Sequence, residues 1–451
     1  MSDLSTISRH ALTVLAGQLA VMAFGVTDTI VAGRHAPESL AALSIGSAVF
    51  VSVYVALMGV LQALLPVWAE QRGANAQAAL GASVRQSLYL CATASVLGMA
   101  VLLSPGPILH WTDVPPALHA EVSRYLAILA LGLPPALLFR IYSTLNQSLG
   151  HPQLVTWLQV GSLALKVPLS IWLTFGGGGL APQGAAGCAW ATLAVNYGLL
   201  LVSWMMLRRH AMYAPLALWR SMERPDWAQL ARFLRLGLPA GLAILVEVTS
   251  FTLMALFIAR QGALASAAHQ IAANLGAVLY MVPLSLGIAT SARVSFWRGA
   301  GDERRAAAVA LRGFWLATVM GCVLAASLFV AKDRLAALYS GDDAVVALAA
   351  ALLAWVAAYH VADAVQTLCI FVLRSYRITL APLVVYGVLL WGVGLYGGYV
   401  LAYQGWPGWE PQPSPVTFWA ASAAALGITA LVFGALLQWV LRLQTRPEAR
   451  Q

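Results

Sequence analysis

The chain has 451 residues, of which 60% are hydrophobic and only 10% are charged. This composition excludes an ordinary soluble protein, in which about a quarter of the residues carry a charge. The net charge of +9 comes without a basic patch interleaved with aromatic residues, so we expect no nucleic-acid partner.

Long apolar runs follow one another along the whole chain. A run of about 20 apolar residues spans a bilayer as a helix, and twelve such runs predict an all-α polytopic membrane protein. Twelve spans also place both termini on the same side of the membrane. In chain order, the predicted spans are residues 11–33, 40–67, 83–104, 121–146, 153–175, 185–207, 234–259, 264–292, 307–330, 345–372, 380–403 and 416–441.

Basic residues concentrate on one side of the predicted membrane. About 20 of the 26 Lys and Arg residues fall in the termini and in the connections that follow even-numbered spans. Arg374, directly after the tenth span, is one of them. Cytoplasmic loops carry the excess of Lys and Arg in membrane proteins, so this bias predicts that both termini lie in the cytoplasm.

The two halves of the chain resemble each other at an offset of about 226 residues. Gly33-Arg34 parallels Ala259-Arg260, and further matches keep this register over roughly 40 residues. Each half holds six spans, which predicts two lobes related by a pseudo-two-fold axis along the membrane normal. Rocking of one lobe against the other would give alternating access to a cleft. The predicted parts are an N-terminal lobe at 1–210, a cytoplasmic linker at 211–233 and a C-terminal lobe at 234–451.

Three carboxylates lie inside otherwise apolar spans: Asp28 in the first, Glu247 in the seventh and Asp363 in the tenth. A charge at mid-bilayer costs roughly 2.5–3.5 kcal/mol on insertion scales, so an intramembrane acid is usually functional. Such acids commonly exchange a proton or a small cation. The three residues therefore predict an ion-coupled transporter, with a structural acid as the alternative at Glu247 and Asp363.

Polar residues accompany two of these acids on helix faces. Gln270 and Asn274 lie one turn apart in the eighth span and are predicted to offer amide partners to Glu247. His360 and Gln366 lie one turn before and after Asp363, so the histidine could pass a proton to that acid. A satisfied core histidine is the alternative for His360.

Lys166 is the basic residue placed deep in a span, and Asp28 lies in the same half of the chain. A buried lysine needs an acidic partner, so we expect an Asp28–Lys166 pair. Such a pair would hold Asp28 ionised and make it a weaker proton carrier than the other two acids. Four further residues are candidates for an adaptable apolar wall of the cleft, with ordinary packing as the alternative: Phe251, Met254, Tyr280 and Met281.

Motifs in four spans carry a resemblance to a known family. They are Gly25 to Thr29 in the first span, Leu238 to Gly241 with Glu247 in the seventh, Ala267 to Asn274 in the eighth, and Asp363 to Tyr376 in the tenth. Together they resemble the multidrug and toxic compound extrusion (MATE) family in its NorM-type branch, over essentially the whole chain.

That resemblance implies two six-helix bundles around an outward-facing cleft and export of organic cations in exchange for Na⁺ or H⁺. It carries the family's cation-site acids over to Glu247 and Asp363, and its first-helix acid to Asp28. Na⁺ at Glu247 and Asp363 would need several oxygen ligands, as hard cations do. The sequence departs from the family at Lys166, where a small polar residue is common.

The same resemblance sets the expected partners. We expect no cofactor beyond Na⁺ or H⁺ as the coupling ion. The expected partners are small cationic or amphipathic drugs and the lipid of a bacterial inner (plasma) membrane, in which the chain would work as a monomer.

Other membrane functions fit the residues less well. A lipid-linked precursor flippase of the same superfamily is the alternative, and it would need several cationic residues in the cleft to hold a pyrophosphate. The spans instead hold one lysine and three acids, which favours cationic cargo. An intramembrane enzyme would need a nucleophile–base pair or a motif such as HExxH, and the sequence has neither. A channel would not require the two-lobe repeat.

Overall fold

The structure is a computed structural model that describes residues 3–111, 114–405, 408 and 410–445. Within these residues, twelve helices are long and apolar enough to cross a membrane, which confirms the predicted all-α fold. They are α1 (Asp3–His35), α2 (Pro37–Gly73), α3 (Gln77–Leu103), α4 (Pro116–Ser148), α5 (Pro152–Phe175), α6 (Ala185–Arg209), α7 (Trp227–Ala259), α8 (Ala263–Gly299), α9 (Glu303–Tyr339), α10 (Asp343–Ser375), α11 (Leu380–Gln404) and α12 (Pro415–Thr445).

Many large apolar side chains of these helices are exposed at the surface of the protein. A helix satisfies all of its central backbone hydrogen bonds internally, so it can present such side chains to lipid without leaving a polar group unpaired. This is therefore a multi-pass membrane protein. Examples of the outward apolar side chains are Leu12, Trp157, Val330 and Leu431.

Several of the long helices are interrupted. A turn breaks α2 at Ala63 and Leu64, and α11 widens into π-helical turns over Gly387–Tyr396 and Val400–Gln404. Proline inside a helix removes one backbone hydrogen bond and allows a bend. Such prolines include Pro134 and Pro135 in α4, Pro168 in α5, Pro239 in α7 and Pro283 in α8.

Contacts between residues divide the chain into two compact units. The N-terminal unit is Thr13–Gly241, and the C-terminal unit consists of Met1–Leu12 together with Leu242–Gln451. Helices α1 and α7 each contribute to both units. The bounds of the compact units thus differ from those of the predicted lobes at 1–210 and 234–451. That the two lobes move against each other stays a prediction.

The start of α1 belongs to the C-terminal unit because Asp3 is bonded there. Its buried carboxylate accepts hydrogen bonds from Arg293 at 2.6 Å and from Arg305 at 3.1 Å. The indole of Trp297 donates to the same carboxylate at 3.2 Å. These bonds join the first turn of α1 to α8 and α9.

The connection between α6 and α7 is bound to the N-terminal unit. Arg85 of α3 donates to both carboxylate oxygens of Glu223, at 2.9 and 2.5 Å, and to the carbonyl of Ala217 at 2.7 Å. The Arg85 hydrogen bonds hold the pKa of Glu223 below its usual range. A short 3₁₀ helix, Ala211–Leu216, lies at the start of this connection. The segment predicted as a linker at 211–233 is therefore ordered, and its last residues already belong to α7.

Helices α5 and α6 approach closely at Gly187. A Cβ atom on Gly187 would lie 2.6 Å from the carbonyl oxygen of Leu173 and from the amide nitrogen of Thr174. Both are backbone atoms of α5, so no side chain can rotate away to make room. A side chain at this position would force the two helices apart.

We predict that Gly187→Val lowers the thermal unfolding temperature of the purified protein, because overpacking a close helix contact costs roughly 1–3 kcal/mol. The matched control is Gly198→Val on the same helix, where an added Cβ meets no atom within 4 Å. Equal unfolding temperatures for the two variants would show that the close approach does not limit stability.

Candidate functional site

Two of the predicted acids come together inside the C-terminal unit. Glu247 lies on α7, about two turns after Pro239, and Asp363 lies on α10, where it is 3% exposed. Glu247 is in electrostatic range of Asp363 and of Arg374. Glu247 is more than 100 positions from the other two residues in sequence, and the three form one charged cluster, which we call the C-terminal acid cluster: Glu247, Asp363 and Arg374.

A hydrogen-bond chain orients Asp363. Its Oδ1 accepts a bond from the Gln366 amide at 2.9 Å and a longer one from the Thr367 hydroxyl at 3.3 Å. The hydroxyl of Tyr386, on α11, donates to the carbonyl oxygen of the same Gln366 amide. Tyr386 therefore fixes which way this amide points, with its NH₂ group toward the carboxylate. Gln366 holds the supporting position that the sequence predicts.

Two further tyrosines surround the acids. Tyr280 on α8 and Tyr359 on α10 are both in electrostatic range of Glu247 and Asp363. The Tyr280 phenol also lies close to the Thr367 side chain. Phenol and hydroxyl oxygens are neutral ligands that a small cation accepts in addition to carboxylates. The C-terminal acid cluster and the residues around it therefore combine charged and uncharged oxygen atoms from α7, α8, α10 and α11.

Arg374 is not a loop residue, and that prediction was wrong. Helix α10 continues to Ser375, beyond the predicted end at 372, so Arg374 lies inside it and is only 3% exposed. Its guanidinium lies 4.7 Å from the ring centroid of Phe371. Within the described part of the chain, its Nε and Nη1 atoms have no hydrogen-bond partner. Its charge is in electrostatic range of Glu247 and lies about three helical turns from Asp363 along α10.

His360 is buried one turn before Asp363, as the sequence predicts. It is 2% exposed, and its Nε2 finds no hydrogen-bond partner among the residues that the structure describes. The ring and the carboxylate share a helix face without a hydrogen bond between them. A proton relay through His360 therefore stays a prediction.

The two amides predicted to meet Glu247 bond each other instead. Gln270 donates to Asn274 at 3.3 Å, and both side chains are exposed. The residue of α8 in range of the acids is Tyr280, six positions beyond Asn274. Six residues correspond to about 9 Å along the axis and to a different helix face. The one-turn spacing of the two amides is as predicted, whereas a contact of either amide with Glu247 stays a prediction.

The four predicted cleft residues divide into two environments. Met254 is 2% exposed, and the Ser422 hydroxyl lies 3.5 Å from its sulfur, so it belongs to the core of the C-terminal unit. Phe251, Tyr280 and Met281 are partly exposed. Phe251 and Met254 line a cavity of about 20 Å³. A cavity of that size holds about one water molecule and is too small for a drug.

The predicted Asp28–Lys166 pair forms in the N-terminal unit. The Lys166 ammonium lies 2.7 Å from one carboxylate oxygen of Asp28 and 2.9 Å from the other. Lys166 is fully buried and Asp28 is 8% exposed. The Ser170 hydroxyl donates to the Asp28 carboxylate at 3.0 Å. The pair thus joins α1 to α5, and one turn of α5 supplies both the cation and a hydroxyl donor.

Sequence patterns missed several members of both sites. Thr192 lies beside the ion pair, where its hydroxyl is 2.7 Å from the Lys166 ammonium nitrogen. Tyr359, Tyr386 and Thr367 surround the C-terminal acid cluster. Serine, threonine and tyrosine are common in membrane helices, so their type alone gave no signal. Their positions relative to the acids depend on helix packing.

Metal clusters of the usual kind do not occur in the described ranges. No group of three or more His, Cys, Asp or Glu side chains there could hold a metal ion. A sodium ion at Glu247 and Asp363 would therefore depend on neutral oxygens such as those of Tyr280 and Thr367.

Comparisons with known proteins agree with this architecture. Residues 14–172 and 239–400 match the sequence model of the MatE family. The chain is 36% identical to the "Probable multidrug resistance protein NorM" of Aromatoleum aromaticum, over 96% of this chain and 93% of that protein. It is 32% identical to the "Multidrug resistance protein PmpM" of Pseudomonas aeruginosa, over 98% of this chain and 91% of that protein.

Solved structures share the fold at lower sequence identity. The eukaryotic MATE transporter AtDTX14 superposes with a TM-score of 0.87 at 18% identity, covering 98% of both chains. The bent form of the Vibrio cholerae MATE transporter VcmN gives a TM-score of 0.84 at 16% identity, again over 98% of both chains. Similarity at this level of identity concerns the arrangement of the helices alone.

Proposed function

The chain belongs to the MatE family, whose members are transporters rather than enzymes, and we propose that it exports cationic or amphipathic drugs in exchange for Na⁺ or H⁺. The observation that carries this proposal is the C-terminal acid cluster, in which two carboxylates lie in electrostatic range of each other inside the C-terminal unit. The names of the relatives at 36% and 32% identity, both multidrug resistance proteins, support drugs as cargo.

The charge of the cluster explains why ion and drug would take turns. Glu247 and Asp363 contribute two negative charges, and Arg374 contributes one positive charge, so the ionised cluster carries −2 + 1 = −1. One monovalent cation neutralises it. A second cation would then meet no net attraction. Binding of the coupling ion and binding of a cationic drug are therefore mutually exclusive.

Exchange at such a site needs access from each side of the membrane in turn. We propose that the lobes at 1–210 and 234–451 are the bodies whose rocking provides this access. Both termini would lie on the cytoplasmic side of a bacterial inner membrane. Each chain holds a complete acid cluster, so a monomer would suffice for exchange.

Drug uptake into everted membrane vesicles tests this function. In such vesicles the cytoplasmic face is outside, so export appears as accumulation in the lumen. We expect vesicles that contain the protein to accumulate ethidium, a fluorescent cation, when the lumen is loaded with Na⁺ or acidified. Vesicles without the protein are the control, and calcein is the anionic comparison dye. Ethidium uptake independent of both ion gradients, or equal uptake of calcein, would overturn the proposal.

Tyr386 offers a milder test of the same site. We predict that Tyr386→Phe keeps the protein folded but raises the ion concentration for half-maximal ethidium uptake about 5-fold to 10-fold, because one hydrogen bond that orients Gln366 is lost. A buried hydrogen bond contributes about 1 kcal/mol. Tyr197→Phe on α6 is a matched control, because that hydroxyl is exposed and bonds the carbonyl of Leu131 far along the chain from the acids. An unchanged half-maximal concentration in Tyr386→Phe would contradict the positioning role.

A further inference from the structure

The Lys166 ammonium is surrounded by oxygen atoms. Both Asp28 carboxylate oxygens lie within 2.9 Å of its nitrogen, at 2.7 and 2.9 Å. The Thr192 hydroxyl lies at 2.7 Å and the carbonyl of Cys188 at 3.0 Å. An ammonium group has three N–H donors, so these partners use all of them. Helices α1, α5 and α6 together enclose this charge completely.

The arrangement has the ligand chemistry of a bound monovalent cation. A carboxylate, a hydroxyl and a backbone carbonyl are the oxygen ligands that hard cations take in proteins. Here the cation at their centre is the ammonium group of Lys166, which is covalently attached to α5. It cannot leave, because the lysine stem ties it to the helix.

The other titratable groups beside Asp28 add no charge to this balance. Tyr125 of α4 and Cys188 of α6 are in electrostatic range of the Asp28 carboxylate. Both are neutral in their ordinary forms at physiological pH. The cysteine sulfur lies 3.8 Å from the backbone carbonyl of Asp28, and the Thr174 hydroxyl lies 3.3 Å from that sulfur. The net charge of the site, summed over Asp28 and Lys166, is therefore −1 + 1 = 0.

We propose that Lys166 is a built-in counter-cation that keeps Asp28 from taking up Na⁺ or H⁺, so that the C-terminal acid cluster alone carries the exchanged ion. This inference rests on the proposed antiport and deepens it. It assigns the two units different parts: the C-terminal cluster has a charge of −1 and accepts a cation, whereas the N-terminal pair is already neutral. Lys166 thereby sets the number of coupling ions per transport cycle.

Counting the cations bound by the purified full-length protein tests this role. Proton uptake per chain is measured on stepping a weakly buffered, Na⁺-free sample from pH 9 to pH 5, and ²²Na⁺ binding is measured at pH 9. The three proteins are wild type, Lys166→Met and the double variant Asp28→Asn/Lys166→Met. Removing the lysine frees a buried carboxylate, so Lys166→Met should gain about one bound proton or sodium ion per chain. The double variant lacks both charges and should match wild type.

Each outcome decides the inference. A Lys166→Met protein that binds the wild-type number of cations would overturn it, because the freed carboxylate would then have no ion to accept. A double variant that binds one cation fewer than wild type would also overturn it, because Asp28 would then carry an ion in the presence of Lys166. Since the double variant keeps the site neutral, its comparison with wild type decides the matter even where the single variant does not fold.

The result is separable from the proposed function. Ethidium uptake that ignores both ion gradients in wild-type vesicles would defeat the antiport, whatever the cation counts are. Normal ion-driven uptake together with an unchanged count in Lys166→Met would defeat only the role of Lys166.

Discussion

Glu247→Gln abolishes ion-driven ethidium accumulation in everted vesicles, if the C-terminal acid cluster is the exchange site. The substitution keeps the size of the side chain and removes one negative charge, so the cluster changes from −1 to 0 beside Arg374. The Coulomb attraction between two unit charges 4 Å apart is about 4 kcal/mol at an effective dielectric constant of 20. Losing an attraction of that size lowers cation affinity roughly 1,000-fold.

The matched control for this variant is Glu410→Gln. It makes the same chemical change at an exposed position in the connection between α11 and α12, and we expect wild-type uptake from it. Both proteins are compared at equal membrane abundance, with Na⁺-loaded and acidified vesicles measured separately. Ion-driven uptake by Glu247→Gln at more than about a tenth of the wild-type rate would be too large for a site that has lost its net charge.

The second large effect is on stability, at the ion pair of the N-terminal unit. We predict that Lys166→Met lowers the free energy of unfolding by roughly 3–5 kcal/mol, because it leaves the Asp28 carboxylate buried without its partner. The double variant Asp28→Asn/Lys166→Met should recover most of this loss, since replacing a buried pair by neutral groups is often close to neutral. Thermal unfolding of the three purified proteins gives the comparison directly.

This pattern separates an ion pair from ordinary packing. Were the lysine stem important only for filling space, Lys166→Met would be nearly harmless, because methionine is also long and unbranched. Were Asp28 important on its own, the double variant would be at least as unstable as the single one. Either result would mean that the two charges do not depend on each other.

Hydropathy was sufficient to predict the twelve helices, because the cost of exposing polar groups to lipid constrains every residue of a span. The Asp28–Lys166 pair was predictable for the same reason: a buried lysine in an apolar span has few alternatives to the acid in its own half of the chain. In both cases, the large energetic cost of an unpaired polar or charged group in the membrane determines the outcome.

The surroundings of the C-terminal acids depend on smaller energy differences, those that set how the helices pack. Whether α8 presents Asn274 or Tyr280 to Glu247 depends on the rotation of the helix and on its position along the axis, which hydropathy does not fix. Arg374 was assigned to a loop because α10 extends three residues beyond the predicted end at 372. The sequence therefore predicts a charge of −2 at the acids, whereas Arg374, in electrostatic range of Glu247, makes the net charge of the cluster −1.

The central claim is that a coupling ion and a cationic drug occupy the same acid cluster in turn. The direct measurement is the release of bound cation when tetraphenylphosphonium, a permanent organic cation, is added to purified wild-type protein. Proton release is followed in weakly buffered solution, and ²²Na⁺ release is followed after loading with that ion. We predict about one H⁺ or Na⁺ released for each tetraphenylphosphonium bound, and no release from Glu247→Gln. Tight binding of tetraphenylphosphonium to wild type without release of either ion would contradict shared occupancy.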